Sequence, residues 1–282
     1  MGFPMLFLRN MMVRVSFLLL TLCSSLMASE TILVSVSAYQ GLVQELVGPD
    51  IQVTSVVPAG ADLHTFEPTP RHMQELTKGT IWFTIGEPFE ENLRAALPAI
   101  LTVDLRKGIE LIQEEGSSHS SGADPHIWTN PKLMLTQLKT IYEALSSLYP
   151  SLEERYRALC RKIVALIEEI DGLLKKAKGS VIVIAHGAYT YLCHEYGIEQ
   201  LSLEYGEKEP TLAKIQLLLS KAKEHRVKTV FSLKQHSKNG IERVAQLLGG
   251  SVVELDPLSP DYINDMKKTA MAIHEAICEQ SN

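Results

Sequence analysis

The chain has little of what usually marks specialised chemistry. Its four cysteines in 282 residues form neither a CxxC pair nor a zinc-ribbon spacing, which excludes a thioredoxin-like redox motif and a thiolate zinc module. There is no basic run, and a formal net charge of −6 without interleaved aromatics excludes a nucleic-acid partner. No HExxH helix or phosphate-cradling glycine loop is present, and "AHGAY" lacks the serine that a nucleophile elbow requires. No apolar run reaches the roughly 20 residues of a membrane-spanning helix. With 45% hydrophobic and 21% charged residues, the chain is globular and long enough for one large or two small cores.

The first 28 residues differ from the rest. Arg9 and Arg14 precede the short apolar stretch "VSFLLLTLCSSLMA", and no acidic residue occurs before Glu30, which is the pattern of a secretory signal peptide cleaved near Ala28 or Ser29. Leu22 stands where a lipidation site before Cys23 would need a small residue, so a free periplasmic protein is expected rather than a lipid-anchored one. Cys160, Cys193 and Cys278 then remain, read as buried free thiols.

Short β-branched runs alternate with longer helical patterns, the signature of α/β architecture with mostly parallel sheets. Four strand candidates, "TILVSVSA", "QVTSVVPA", "TIWFTIG" and "ILTVDL", fall in the first half, and four more, "SVIVIAHG", "LSLEYG", "KTVFSL" and "SVVELDPL", in the second. Between them Leu152, Tyr156, Leu159, Ile163, Ile167, Ile170 and Leu174 recur at steps of three or four along one helix face. The expected organisation is a signal peptide (1–28), an N-terminal lobe (30–148), a linking helix (149–178) and a C-terminal lobe (179–282). Each lobe carries a mostly parallel four-stranded sheet flanked by helices. A single sheet with the helix packed on it is the competing arrangement. The segment "EEGSSHSSGAD" reads as a short mobile loop.

Open α/β sheets place ligands at the carboxyl ends of their strands. His64 follows "QVTSVVPAG", His126 follows the fourth strand and its loop, His186 ends "VIVIAH", and Asp256 follows "SVVEL". These four divide two and two between the halves, so a cleft between lobes would unite them. Any one of them alone reads equally well as a hydrogen-bonded structural residue. Three imidazoles and a carboxylate suit a borderline-soft divalent ion such as Zn²⁺, with Mn²⁺ or Fe²⁺ as alternatives. Asp62, Glu67 and Asp124 are placed to accept a hydrogen bond from the second nitrogen of a ligating histidine. His72, His119, His194, His225, His236 and His274 show no such placement. A fourth protein ligand would close the coordination sphere, favouring binding over the open site of an exported zinc hydrolase.

The chain resembles the metal-binding solute-binding proteins of ABC transporters, the periplasmic zinc and manganese receptors of the ZnuA/TroA type. "GADLHTFEPTP", "DPHIWTNP", "IAHGAYTYLCHEYGI" and "ELDPL" are similar to that family's motifs, in order and over essentially the whole mature chain. The resemblance implies that His64, His126, His186 and Asp256 hold the metal between two lobes joined by a long helix. It also implies a non-enzymatic, monomeric receptor that delivers its ion to an ABC permease at the inner membrane. A hydrolase or a metal-chelate (siderophore) receptor is the alternative. Departures from the family pattern are Thr129 and Asn130 in the second motif, and Leu233, Lys234 and His236, where Glu, Pro and Phe are common. The last of these brings His236 toward the metal. Histidine rather than glutamate at 186 favours zinc.

Overall fold

The computed structural model describes residues 30–113, 122–149, 151–204 and 211–280, so the signal-peptide reading and most of the expected loop fall outside the described residues. All eight expected strands form: β1 (Thr31–Val34), β2 (Gln52–Ser55), β3 (Gly79–Thr84) and β4 (Leu101–Asp104), then β5 (Val181–His186), β6 (Glu199–Glu204), β7 (Thr229–Leu233) and β8 (Ser251–Leu255). They make two four-stranded sheets with every pairing parallel, in the orders β2-β1-β3-β4 and β6-β5-β7-β8. The central strands β1 and β5 are buried at every residue, as their uninterrupted apolar sequences require of a sheet covered on both faces.

In each sheet the chain leaves the first strand to one side and returns to the other. This opens a crevice at the strand carboxyl ends, between β1 and β3 and between β5 and β7. Helices α1 (Gln40–Val47), α2 (Pro70–Leu76), α3 (Pro88–Ala96) and α4 (Pro131–Leu145) accompany the first sheet. The second has α6 (Thr190–Tyr196), α7 (Leu212–Glu224), α8 (Asn239–Leu248) and α9 (Tyr262–Gln280). Among the described residues no helix is long and apolar enough to cross a membrane.

The linking helix is α5, Leu152–Leu174, with 23 residues and therefore about 35 Å of rise. Glu153 and Glu154 occupy its first turn, where they complement the positive end of the helix dipole. Its buried stripe is Leu152, Leu159, Ile163, Leu166, Ile170 and Leu174, while Tyr156 and Ile167 at the edges are partly buried. The stripe packs against α1 and α4 from the first half and α9 from the second. One continuous hydrophobic cluster consequently runs from Ile32 and Phe83 through α5 to Ile184 and Phe231.

Close contacts seal the two halves below the crevice. Trp128 Nε1 donates to the Pro257 carbonyl at 2.8 Å, and the Tyr262 hydroxyl donates to the Trp128 carbonyl at 2.8 Å. Gly41 of α1 lies so near the 257–260 turn that a β-carbon there would sit 2.2 Å from the Pro260 carbonyl oxygen. The cysteines have separate fates: Cys193 is buried, Cys160 half-buried and Cys278 exposed, so burial of the thiol holds for Cys193 alone.

Candidate metal centre

Two of the four candidate ligands are presented by the same short device. His64 and His126 each stand two residues after an aspartate whose Oδ1 accepts the histidine's backbone N–H, at 2.8 Å from Asp62 and 2.8 Å from Asp124. These are Asx turns, in which a side chain replaces a backbone acceptor and fixes the loop. Gly60 at φ +84° and Gly122 at φ +65° start both turns in a backbone region that side chains resist. The written sequence carries this as a repeat, "GADLH" and "GADPH", a signal that a search for strand-sized periodicity overlooks.

His186 is presented differently. It is the last residue of β5, paired in register with Glu204 of β6, so the sheet itself aims it into the crevice. The three rings meet there, with centroids 5.3 Å apart for His64 and His126, 4.8 Å for His64 and His186, and 5.2 Å for His126 and His186. One ring nitrogen from each lies within 4.8 Å of the others, and the Nε2 atoms of His64 and His186 are 3.0 Å apart. Tetrahedral coordination at 2.0–2.1 Å places ligand nitrogens about 3.3 Å from one another, close to the separation of the His64 and His186 Nε2 atoms. The three rings line a small cavity of about 20 Å³, with Leu63, Trp128 and Leu258 also on its walls. That is room for one water-sized occupant.

For His64 and His126 the other ring nitrogen faces a carboxylate. His126 Nδ1 is 2.8 Å from Asp124 Oδ1, and His64 Nδ1 is 3.3 Å from Glu87 Oε1. Each contact favours the tautomer that leaves Nε2 as a lone-pair donor toward the cavity. Asp124 therefore takes the place expected of it. Asp62 instead serves the His64 backbone, and Glu67 is exposed while Glu87 stands beside the His64 ring. Glu87 escapes sequence reading because it reaches the site from the end of β3, more than twenty positions away from His64.

The Glu87 loop is held by a buried neighbour. The Glu90 carboxylate accepts the backbone N–H groups of Ile85 at 2.8 Å, Gly86 at 2.7 Å and Glu87 at 3.1 Å, and the Ser35 hydroxyl donates to it as well. Burial pushes Glu90 up to about 7 against those hydrogen bonds. For His64, burial acts downward, but the Glu87 carboxylate, with Asp62 and Asp124 farther off, more than offsets it and leaves the ring above its ordinary value. Burial raises Asp124, yet the His126 charge and several hydrogen bonds outweigh it and keep the carboxyl below the usual range.

Asp256 lies beside this cluster and outside it. Its Oδ2 is 3.0 Å from Lys234 Nζ, and its Oδ1 accepts Gln235 Nε2 at 2.6 Å and the Leu258 N–H at 3.2 Å. His236 does reach the cavity, stacked on His186 with centroids 4.8 Å apart and planes 12° from parallel. Its Nδ1 is 3.7 Å from Glu204 and 3.9 Å from Asp62. The Thr129 and Asn130 departures have plain roles. Asn130 caps α4 by accepting the Lys132 N–H at 2.8 Å, and the Thr129 hydroxyl donates to the His126 carbonyl at 2.9 Å.

The ZnuA family, zinc-uptake complex component A periplasmic, matches residues 32–276. The chain belongs to this family. A putative metal-binding protein of Chlamydia trachomatis is 27% identical over 247 residues, covering 86% of this chain and 89% of that protein. The high-affinity zinc uptake system protein ZnuA of Bacillus subtilis is 24% identical over 260 residues, covering 81% and 82%. A crystal structure of ZnuA superposes with a TM-score of 0.80 at 28% identity, over 88% of this chain and 99% of the other. As a ZnuA-family member, the chain is a solute-binding component of a metal uptake system and not an enzyme.

Proposed function

We propose that this ZnuA-family chain captures Zn²⁺ outside the inner membrane and hands it to an ABC permease as a monomeric periplasmic receptor. The observation that carries the reading is the convergence of one nitrogen each from His64, His126 and His186 on a cavity of single-ion size. Asp256 is the fourth candidate ligand in this reading, and it reaches an ion only by giving up contacts to Lys234 and Gln235, whereas the three imidazoles are already gathered. Relatives are named for zinc, iron or manganese, so the choice among these rests on the donor set. Three imidazoles favour zinc over the harder manganese, as does the general affinity order of divalent ions. In this reading the lobes are residues 30–148 and 179–282, with the helix between them limiting wide opening.

The test is elemental analysis of the purified protein together with zinc titration after chelator treatment. One zinc per chain is expected, with large losses of affinity in His64→Ala, His126→Ala and His186→Ala. A wild type that takes up no stoichiometric transition metal would sink the reading. Ester or peptide turnover abolished by the same variants would replace it with the hydrolase.

A further inference from the structure

We propose that Lys234 is a specificity-determining residue, which disfavours manganese by occupying the Asp256 carboxylate and so making the site depend on its imidazoles. The inference rests on the zinc-receptor reading above and adds a mechanism of selection to it.

Strand register creates the pair. In the β7–β8 ladder Leu233 lies opposite Leu255, so the next residues of the two strands, Lys234 and Asp256, emerge side by side at the crevice. The Lys234 backbone N–H continues the ladder to the Leu255 carbonyl at 3.0 Å, which fixes where its side chain begins. Its ammonium then reaches Asp256 Oδ2, while Gln235 and the Leu258 N–H take Oδ1. Both oxygens are thereby engaged by protein groups. Gln235, with its amide nitrogen on Asp256, leaves Oε1 buried without a hydrogen-bond partner at the cavity wall.

The energetic consequence differs between ions. A carboxylate that is already charge-paired must lose a charge-assisted hydrogen bond before it can ligate. An ion bound mainly by imidazole gives up little when the carboxylate stays with Lys234. A harder ion, whose binding leans on oxygen donors, gives up more. The ammonium also cancels the one negative charge that the four-ligand set would bring. The lysine side of the pair is exposed, at 57%, and Asp256 is 18% exposed, so replacing the lysine leaves the carboxylate with Gln235 and the Leu258 N–H as its hydrogen-bond partners.

The experiment compares metal-free full-length protein with Lys234→Met, which keeps most of the length of the side chain and removes its charge, and with Lys234→Met/Asp256→Asn. Dissociation constants for Zn²⁺ and Mn²⁺ are measured by competition with a chromophoric chelator, and circular dichroism verifies the fold. In Lys234→Met, Mn²⁺ should bind on the order of tenfold tighter, the scale of one charge-assisted hydrogen bond, and Zn²⁺ should change less than about threefold. The double variant should lose the manganese gain. An unchanged zinc-to-manganese ratio, an equal shift of both ions, or a gain that survives Asp256→Asn would each overturn the proposal. A wild type that binds neither ion would instead overturn the receptor reading on which it stands.

Discussion

A single oxygen of Asp124 holds His126 twice, accepting both its backbone N–H and its ring Nδ1–H at 2.8 Å. Loop geometry and ring tautomer are thus set by one atom. Asp124→Asn retains the size of the side chain and its capacity to accept the backbone bond, but gives up the charge behind the ring. Zinc affinity should fall by about 10- to 100-fold, the usual cost of losing a ligand's outer partner, without a matching loss of thermal stability. Calorimetric titration beside a thermal melt separates the two.

Glu87 and Glu67 make a matched comparison. Glu87→Gln should weaken zinc on a scale of about tenfold, because the carboxylate beside His64 Nδ1 is lost. Glu67→Gln should leave the titration unchanged, its side chain being exposed. Equal effects from both would remove the positioning role given to Glu87.

Proton competition should start early as pH falls. Metal binding needs neutral imidazole, and His64 sits above its ordinary value, so affinity should already decline at pH above about 6.5 and be largely lost by about 5.5. In the metal-free protein the sign reverses. A histidine raised on folding stabilises the native state fully below its unfolded pKa, and this contribution is lost as pH rises through the folded one. Titrations and melts between pH 8 and 5.5 should therefore move in opposite directions, and Glu87→Gln should shift the affinity loss toward lower pH.

The architecture was largely legible in the sequence, and the parts that were not share a cause. Strands such as "VIVIAH" and "TIWFT" are apolar runs bounded by glycine, and sheets buried on both faces leave that mark directly. The α5 stripe was readable at Ile163 and Ile170, but between them Leu166 and Ile167 both keep the three-or-four spacing, and only packing shows that Leu166 is the buried one. His64, His126 and His186 were legible because strand ends are where such folds collect ligands. Glu87 and the Lys234–Asp256 pair were not, since their partners are brought together by sheet order and register. The notable lysine after β7 was visible as a departure from the family pattern, but its partner was not.

Gly41 offers a test of how tightly the two halves meet. A methyl group there encounters the Pro260 carbonyl, a backbone atom that cannot rotate away. Gly41→Ala should cost about 1–3 kcal/mol as an overpacking change, read as a lower unfolding midpoint in denaturant. Ile163→Ala in the middle of α5 should cost about 2–5 kcal/mol by leaving a cavity in the shared cluster.

The hydrogen bonds around Trp128 bear on how long a captured ion stays. Trp128 follows His126 by two residues, and its partner Pro257 follows Asp256 by one, so the indole staples the flanks of two candidate ligands. Separating them strands an indole N–H and a carbonyl, each costing about 1–3 kcal/mol if left dry. Spontaneous parting of these flanks therefore carries that cost. In the receptor reading proposed above, a membrane partner that replaces those bonds as it docks would ease release.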